Sequence, residues 1–217
     1  MERQTCLGER YIACGADEGT EVILEGTPGN AFCAYLNGAD VTLYGNAQDA
    51  TGDTMNSGTV TIHGNTGDAA GYAMRGGEIF VKGDAGYRAG IHMKAYREKV
   101  PVLIIGGDCG SFLGEYQAGG IIAVLGLGHE DGAKIGYFCG TGMHGGRIFL
   151  RTRTLPPGLP EQVSVSIANE DDMKLLAPHL ARFCEKFDVQ AEALDTVPFY
   201  VLSPNSKNPY KQLYTAN

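Results

Sequence analysis

A tandem repeat with a period of nineteen residues is the feature that most constrains how this chain can fold. Three columns of the sequence keep this spacing over four successive repeats without a gap. Two columns are apolar and the third is glycine: Val22, Val41, Val60 and Ile79; Leu24, Leu43, Ile62 and Val81; Gly26, Gly45, Gly64 and Gly83. Such a repeat predicts a solenoid, because one unit buries its apolar face only by stacking on its neighbours.

Each repeat begins with a short strand. Val60 and Ile62 point to one face of the strand, while Thr61 and His63 point to the other. A further column at the same spacing predicts core-filling side chains: Leu36, Met55, Met74 and Met93. The pattern predicts an all-β fold, a single right-handed parallel β-helix of about six to seven coils with a period near nineteen, over residues 21–150.

Glycine blocks follow the strands and are expected to form the turns. The spacing Gly64-x-x-Gly67-x-x-x-Gly71 recurs in blocks that start at Gly83 and Gly107. Glycine suits sharp turns because positive φ costs it little. A phosphate cradle would require a helix directly after the glycines, whereas each block here leads into another strand or turn. We therefore interpret the blocks as structural.

Two departures from the period interrupt the solenoid. After the first, near His92–Pro101, the next coil is expected to resume with Val102, Ile104 and Gly106. The second, Leu127–Gly146, extends the coil that follows. The first departure carries three cations and is either a solvated loop or a docking feature: Lys94, Arg97 and Lys99.

The segments that flank the solenoid differ from it in composition. Residues 1–20 are expected to form an N-terminal cap segment, and residues 151–217 a linker, short helices and an extended tail. Asn169, followed by three acids, predicts a helix start. Pro178 predicts two short helices in place of one. The last segment, Pro198–Asn217, is predicted to be irregular.

Charge and cysteine usage exclude several classes of protein. The 25 acidic and 17 basic residues give a net charge of −8, which disfavours a nucleic-acid partner. No apolar run is long enough to cross a membrane, and the N-terminus lacks a signal-peptide core, so a cytoplasmic location is expected. The six cysteines are scattered, which indicates neither a disulfide framework nor a zinc site.

Several polar residues are candidates for chemistry, yet none forms a recognised motif. One set falls in the second departure: His129, Glu130, Asp131, Cys139 and His144. A second set falls in the repeats: Asp108 with Cys109, and His63 with Lys82. None has the spacing of a zinc site or of a nucleophile with its base. We predict no catalytic, cofactor-binding or metal-binding residue and no bound cofactor.

The glycine blocks and the run Gly136–Gly146 resemble the GXGXG-motif family. That family includes the C-terminal domain of the glutamate synthase large subunit and its standalone homologues. The resemblance covers roughly residues 5–150, and the Pro/Tyr-rich ending is similar to that of split, archaeal-type synthases. The solenoid subunit of N-methylglutamate synthase is similar in size.

The resemblance implies a scaffold and not a catalyst. In that family the solenoid packs between a class-II glutamine amidotransferase and an FMN-binding, iron–sulfur synthase part, and ammonia passes between them. The catalytic cysteine, the flavin and the cluster belong to those partners, so Cys6 is not expected to be a nucleophile. Two alternatives stay open: the repeat-bearing component of a formylmethanofuran dehydrogenase-type oxidoreductase, and an independent enzyme that uses a groove at 127–146. Self-association stays open as well.

Overall fold

The computed structural model describes residues 3–205, which form one ten-stranded sheet, one α-helix and a short 3₁₀ helix. The strands are β1 Gln4–Leu7, β2 Glu21–Thr27, β3 Asn37–Tyr44, β4 Ser57–Ile62, β5 Glu78–Val81, β6 Val102–Ile105, β7 Ala118–Val124, β8 Gly145–Arg151, β9 Val163–Ile167 and β10 Phe199–Pro204. Helix α1 spans Glu170–Phe187, and the 3₁₀ helix spans Ala191–Leu194. Strands β1 to β8 pair in parallel in chain order, which confirms the parallel β-solenoid. We number the coils one to seven by the strand, β1 to β7, that begins each.

The nineteen-residue columns form the interior of the solenoid, as predicted. Val41 of β3 lies in register with Val22 of β2 and with Val60 of β4. The methionine column is fully buried in the same core. Its equivalent in coil six is Gln117, which is also fully buried, and its side-chain nitrogen donates to the carbonyl oxygens of Gly119 and Gly120.

The predicted register of coil six is wrong by one residue. Leu103 and Ile105 pair with the inward-facing residues of β5 and belong to the interior core. Val102 and Ile104, predicted for the interior, face outward. A one-residue shift moves every side chain to the opposite face of a strand. Because all four residues are aliphatic, no polar position marks the register after the first departure.

The parallel ladder begins before residue 21. β1 pairs with β2, with Cys6 beside Gly26. Residues 4–20 therefore make a first coil, where a separate cap segment was expected. Within residues 3–205, β1 is one edge strand of the sheet and β9 is the other.

At the corner that follows the glycine block, positive φ recurs at every second residue, and we call this the alternating backbone. In each coil, three residues with positive φ are separated by single residues, as in Ala50, Gly52 and Thr54. Of the twenty-one such positions, fourteen are not glycine, so glycine accounts for fewer of the turns than expected. Hydrogen bonds hold the strained residues: Ala50 N–H donates to Asp68 O in the next coil, and Gly52 N–H donates to Phe32 O in the preceding one.

The two departures are shorter than predicted and leave the solenoid at different corners. Met93 keeps its place in the methionine column and Lys94 N–H donates to Met74 O as Arg75 N–H does to Met55 O, so the first departure is confined to residues 95–101, before β6. Ile135 is in register with Cys109, so the second is confined to residues 126–134, after β7. Residues 135–144 return to the regular coil. The two departures thus lie at opposite ends of the parallel strands.

A second core lies on the outer face of the sheet, where α1 packs. The outward side chains of β5 to β8 are apolar apart from Glu78, Arg147 and Arg151, and the apolar ones meet an apolar stripe of α1 and the last strand. The members of this outer core are Phe80, Val102, Ile104, Ile121, Ala123, Leu125, Phe149, Leu176, Leu180, Phe183, Phe187, Leu194, Phe199 and Val201. In contrast, β3 and β4 present Thr42, Thr61 and other polar residues on this face.

Helix α1 starts as predicted but does not break. The Asn169 side chain accepts hydrogen bonds from the backbone of Asp171 and Asp172, and Asp172 reciprocates on the Asn169 N–H. The prediction of two short helices is wrong: Pro178 lies exposed inside one helix of 18 residues. An interior proline costs about 3 kcal/mol, and burial of the apolar stripe on the outer core offsets it. Within residues 3–205, no helix is long and apolar enough to span a membrane.

The last described strand closes the sheet. β10 pairs antiparallel with β8, and β9 with β10, so Phe199–Pro204 is a strand and not the irregular segment that was predicted. β9 was not predicted either. The Arg151 guanidinium, buried under this closure, donates to the backbone oxygens of Leu125, Ala193 and Leu194. The remainder of the predicted tail, residues 206–217, lies outside the described residues.

Candidate functional site

Exposed aromatic side chains gather on one flank of coils five to seven. Tyr87, Tyr137 and Phe138 are 53%, 58% and 47% exposed, although large apolar side chains are usually buried. Phe112 and Tyr116 lie between them and are half-buried. We call this surface the aromatic flank: Tyr87, Arg88, Phe112, Tyr116, Tyr137 and Phe138.

The alternating corner backbone directs these side chains outward. Arg88, Phe112 and Phe138 occupy the first positive-φ position of coils five, six and seven, with φ of 57°, 63° and 62°. The same position in coils two, three and four holds alanine: Ala31, Ala50 and Ala69. Coil one has Tyr11 at this position, and Tyr35 and Tyr72 are exposed at the same corner of coils two and four. The later coils therefore differ in carrying adjacent aromatic side chains in successive coils, on a backbone that all coils share.

The flank is ordered by contacts between coils. The rings of Phe112 and Phe138 stack with centroids 5.2 Å apart, and Tyr137 lies 6.1 Å from Phe138. The Arg88 guanidinium carbon lies 4.9 Å from the centroid of the Phe112 ring, while its Nε donates to Glu115 at 3.1 Å. Stacked rings and a cation over a ring restrain the rotamers before any partner arrives.

A second aromatic row adjoins the flank. His92 and Tyr116 stack at 5.2 Å, and Tyr72 meets His92 edge-on at 5.9 Å. Aromatic residues and arginine are enriched at the centres of protein–protein interfaces, where they supply most of the binding energy. The composition and the order of this surface are similar to those of protein–protein interfaces.

The residues of the second departure do not assemble into a catalytic group with one another. His129 Nε2 lies 3.1 Å from Asp108 Oδ2 in the neighbouring coil, a pairing that the sequence did not suggest. Asp131 lies within 4.0 Å of Arg153. Within residues 3–205, no group of three or more His, Cys, Asp or Glu residues is placed to hold a metal ion.

Asp108 has a structural role in addition to its contact with His129. Its Oδ1 accepts the Lys134 N–H at 2.9 Å, and Asp84 in the coil below accepts the Asp108 N–H at 2.7 Å. Asn46 and Asn65 continue this ladder at the same position of the earlier coils. The side chain of each member thus satisfies a backbone donor of the next coil.

The cysteine candidates lie in the interior core. Cys139 and Cys109 are buried there. Burial raises the pKa of the Cys139 thiol to about 12 and also raises the pKa of Cys109, so both stay protonated at neutral pH. His144 is half-buried at the surface, with Nδ1 3.2 Å from Gly142 O. A shallow groove of about 300 Å³ beside the second departure is lined by Asp131, Lys134 and other residues, but by none of His129, Cys139 and His144.

His63 and Lys82 are neighbours without a catalytic arrangement. The His63 ring stacks on Tyr44 at 4.4 Å and meets Phe187 of α1 edge-on at 5.2 Å. Burial lowers the pKa of His63, and the nearby charge of Lys82 lowers it further. His63 was predicted to face outward; it does, but α1 partly covers it.

The comparisons with known proteins agree with this architecture. The family described as "GXGXG motif" matches residues 4–198, which is most of the chain. This chain belongs to the GXGXG motif family. The match includes α1, so it extends well beyond residue 150, where the region of glycine-pattern resemblance ends.

A similar sequence occurs in Methanocaldococcus jannaschii. Its uncharacterized protein MJ1350 is 42% identical over 132 residues, which are 58% of this chain. The aligned part is 50% of that protein, so the chain spans about half the length of the relative it matches. The other half of that relative has no counterpart in the alignment.

Proposed function

We propose that this chain is a non-catalytic scaffolding subunit of a glutamate synthase-like complex. Its partners would be a class-II glutamine amidotransferase subunit and an FMN-binding, iron–sulfur synthase subunit. The proposal combines membership of the GXGXG motif family with the resemblance of the glycine blocks to the glutamate synthase C-terminal domain. In this assignment the chain holds together the part that releases ammonia and the part that consumes it.

The observation that carries the proposal is the aromatic flank on a rigid body. Seven stacked coils at about 4.8 Å each extend roughly 34 Å along the solenoid axis, enough to separate two partners. The flank presents preorganised aromatic rings at one end of that axis. Preorganised side chains lose little conformational entropy on binding, which suits a permanent subunit interface.

The chemistry of the candidate residues also favours a scaffold. The buried thiols of Cys109 and Cys139 are poor nucleophiles because their pKa values are raised. The His129–Asp108 pair sits on an exposed ladder whose carboxylates already accept backbone hydrogen bonds. We therefore assign the catalytic steps of the complex to its other subunits.

Purification of the native protein at mild salt, with mass-spectrometric identification of the bound chains, tests the assignment. We expect an amidotransferase and an FMN-binding chain in fixed stoichiometry. Recovery of a molybdopterin-binding chain and a formyltransferase-like chain would support the formylmethanofuran dehydrogenase-type alternative instead. Recovery of the protein alone would contradict the scaffold assignment.

A triple variant tests the role of the flank in that association. Y87S/Y137S/F138S removes three exposed rings, and we expect loss of at least one partner. The control Y11S/Y35S removes two rings that are more than half exposed but lie in coils one and two, outside the aromatic flank. Equal retention of partners by both variants would show that the aromatic flank is not the docking surface.

A further inference from the structure

The first departure from the repeat builds a concentrated basic surface on an acidic protein. Arg97 and Lys99, which it carries, stand beside Arg75 and Lys94 at the adjoining corner of coils four and five. All four side chains are exposed, and none has an acidic partner within 4.0 Å among residues 3–205. We call these four residues the basic corner.

A tight turn fixes the position of Arg97 and Lys99. Tyr96 and Lys99 exchange two backbone hydrogen bonds of 3.0 Å each, with Arg97 and Glu98 at the tip. The Arg97 guanidinium carbon lies 5.2 Å from the centroid of the Tyr96 ring. The cations of the turn are therefore held by its backbone and by an aromatic face.

Glycines of the coils on either side let the turn lie flat on the solenoid. A Cβ at Gly76 in coil four would lie 2.9 Å from the Cβ of Lys99, and one at Gly119 in coil seven would lie 2.6 Å from the backbone nitrogen of Ala95. Both distances are closer than real Cβ contacts. The first departure is thus packed against coils four and seven and is not a free loop.

The basic corner continues a row of polar residues at one corner of the coils. Asn37, Asn56, Arg75 and Lys94 each follow the methionine column, and each donates its backbone N–H to a carbonyl of the preceding coil. The Asn37 side chain already donates to Asp17 Oδ1 at 2.8 Å. The other three positions, stacked about 4.8 Å apart, make a row of roughly 10 Å. Most of these residues, together with the turn, line a pocket of about 390 Å³ that contains one acid, Glu98.

We infer that the basic corner binds an acidic segment of a protein partner. The row is longer than a single phosphate or small dicarboxylate, and it matches several carboxylates spaced along an extended peptide. A nucleic acid is disfavoured because four cations form too small a patch for a polyphosphate backbone, and the acidic remainder of the chain would repel the flanking phosphates, whereas a short acidic segment can end within the patch. The inference goes beyond the proposed function, since it specifies the chemistry of a contact on a corner separate from the aromatic flank.

Fluorescence anisotropy with the full chain tests the inference. The probe is a labelled ten-residue peptide of alternating Glu and Ser, which places its carboxylates on one side when extended; the reference peptide alternates Gln and Ser. We expect binding of the Glu peptide that weakens at least tenfold between 50 and 300 mM salt, because salt screens exposed charges. Binding of the Gln peptide with equal affinity would overturn the inference.

A charge-matched pair of variants locates the site. We expect R75Q/R97Q/K99Q to weaken binding of the Glu peptide at least tenfold. The control R10Q/K82Q/K134Q removes three exposed cations elsewhere and should weaken binding less than threefold. Equal losses in the two variants would overturn the site. Saturable binding of inorganic phosphate without binding of the Glu peptide would also overturn it, because the basic corner would then be a site for a small anion. These outcomes are independent of which chains co-purify with the protein.

Discussion

Coils two to four and coils five to seven share one interior and differ in almost everything outside it. Both halves bury the same aliphatic and methionine columns. The outer strand face is polar in the earlier half, with Thr42 and Thr61, and apolar in the later half, with Ile104 and Phe149. The repeat therefore specifies the stacking of the coils, while the outward positions are free to specify what packs against them.

The same contrast recurs at the alternating corner. Alanines fill the first positive-φ position in coils two to four, whereas Arg88, Phe112 and Phe138 fill it in coils five to seven. Both departures from the period also fall in the later half. The earlier half is thus the regular part of the rod, and the later half carries the helix, the aromatic flank and most of the basic corner.

Removal of one large side chain from the outer core should have the largest effect. Phe183 of α1 is fully buried against the later coils, and its ring fills the space above Gly106. We expect Phe183→Ala to lower the free energy of unfolding by about 3–5 kcal/mol, measured by denaturant titration with circular dichroism. Phe112→Ala, in the half-buried aromatic flank, should cost less than about 1 kcal/mol. Equal losses of stability in the two variants would contradict the distinction between the face that α1 covers and the aromatic flank.

A substitution that adds a methyl group where two coils of the earlier half stack should have the next largest effect. Gly45 has φ of 154°, and its Cα lies so close to the Gly26 oxygen of the coil below that no Cβ fits. We expect Gly45→Ala to destabilise the protein by about 3 kcal/mol. Gly128→Ala, in the second departure, meets open space at φ of 94° and should cost about 1 kcal/mol. Thermal unfolding of the two variants separates these outcomes.

Loss of one ladder acceptor should have a smaller effect, and a similar one in both halves. Asp108→Ala leaves the Lys134 N–H without its acceptor, and Asn65→Ala does the same to the Asp84 N–H. We expect each to cost about 1 kcal/mol. Asp108→Asn keeps the accepting oxygen and should remain close to the parent protein. A large cost for Asp108→Asn would show that the contact with His129 matters more than the ladder.

Acidification should produce the smallest effect, at the border between the two halves. Burial between Tyr44 and Phe187 lowers the pKa of His63, and Lys82, Arg3 and Lys186 lower it further. The unfolded chain therefore binds this proton first, near its ordinary pKa of about 6.5. The contribution of His63 to stability is complete above that pH and declines as the pH falls below it. Denaturant midpoints at pH 7.5 and 5.5 should differ less for His63→Phe than for the parent protein; an unchanged difference would contradict this assignment.

The inner columns were the part of the fold most open to prediction. Val22, Val41 and Val60 are consecutive copies of one environment, so their spacing alone defines the stacked strands. The prediction failed where that spacing stopped. After the first departure both faces of β6 are aliphatic, and the hydrophobic pattern fits either register.

The candidate site depended on contacts between residues far apart in the chain. Phe112 and Phe138 are stacked because two coils of unequal length place them one above the other. The pairing of His129 with Asp108 arises in the same way. The sequence shows aromatic residues at the corner position but not their exposure, because the pattern predicts that glycines form the corner.

Local pattern determined the solenoid, and tertiary packing determined what the solenoid presents. A nineteen-residue period, the N-cap at Asn169 and the acidic composition are encoded by neighbouring residues or by counts. The turn at Tyr96–Lys99 depends on close contact with glycines of two other coils. The unbroken α1 and the antiparallel pairing of β10 each depend on burial against a distant surface. Burial of that kind offsets a local penalty such as Pro178, and it exists only once the coils have stacked.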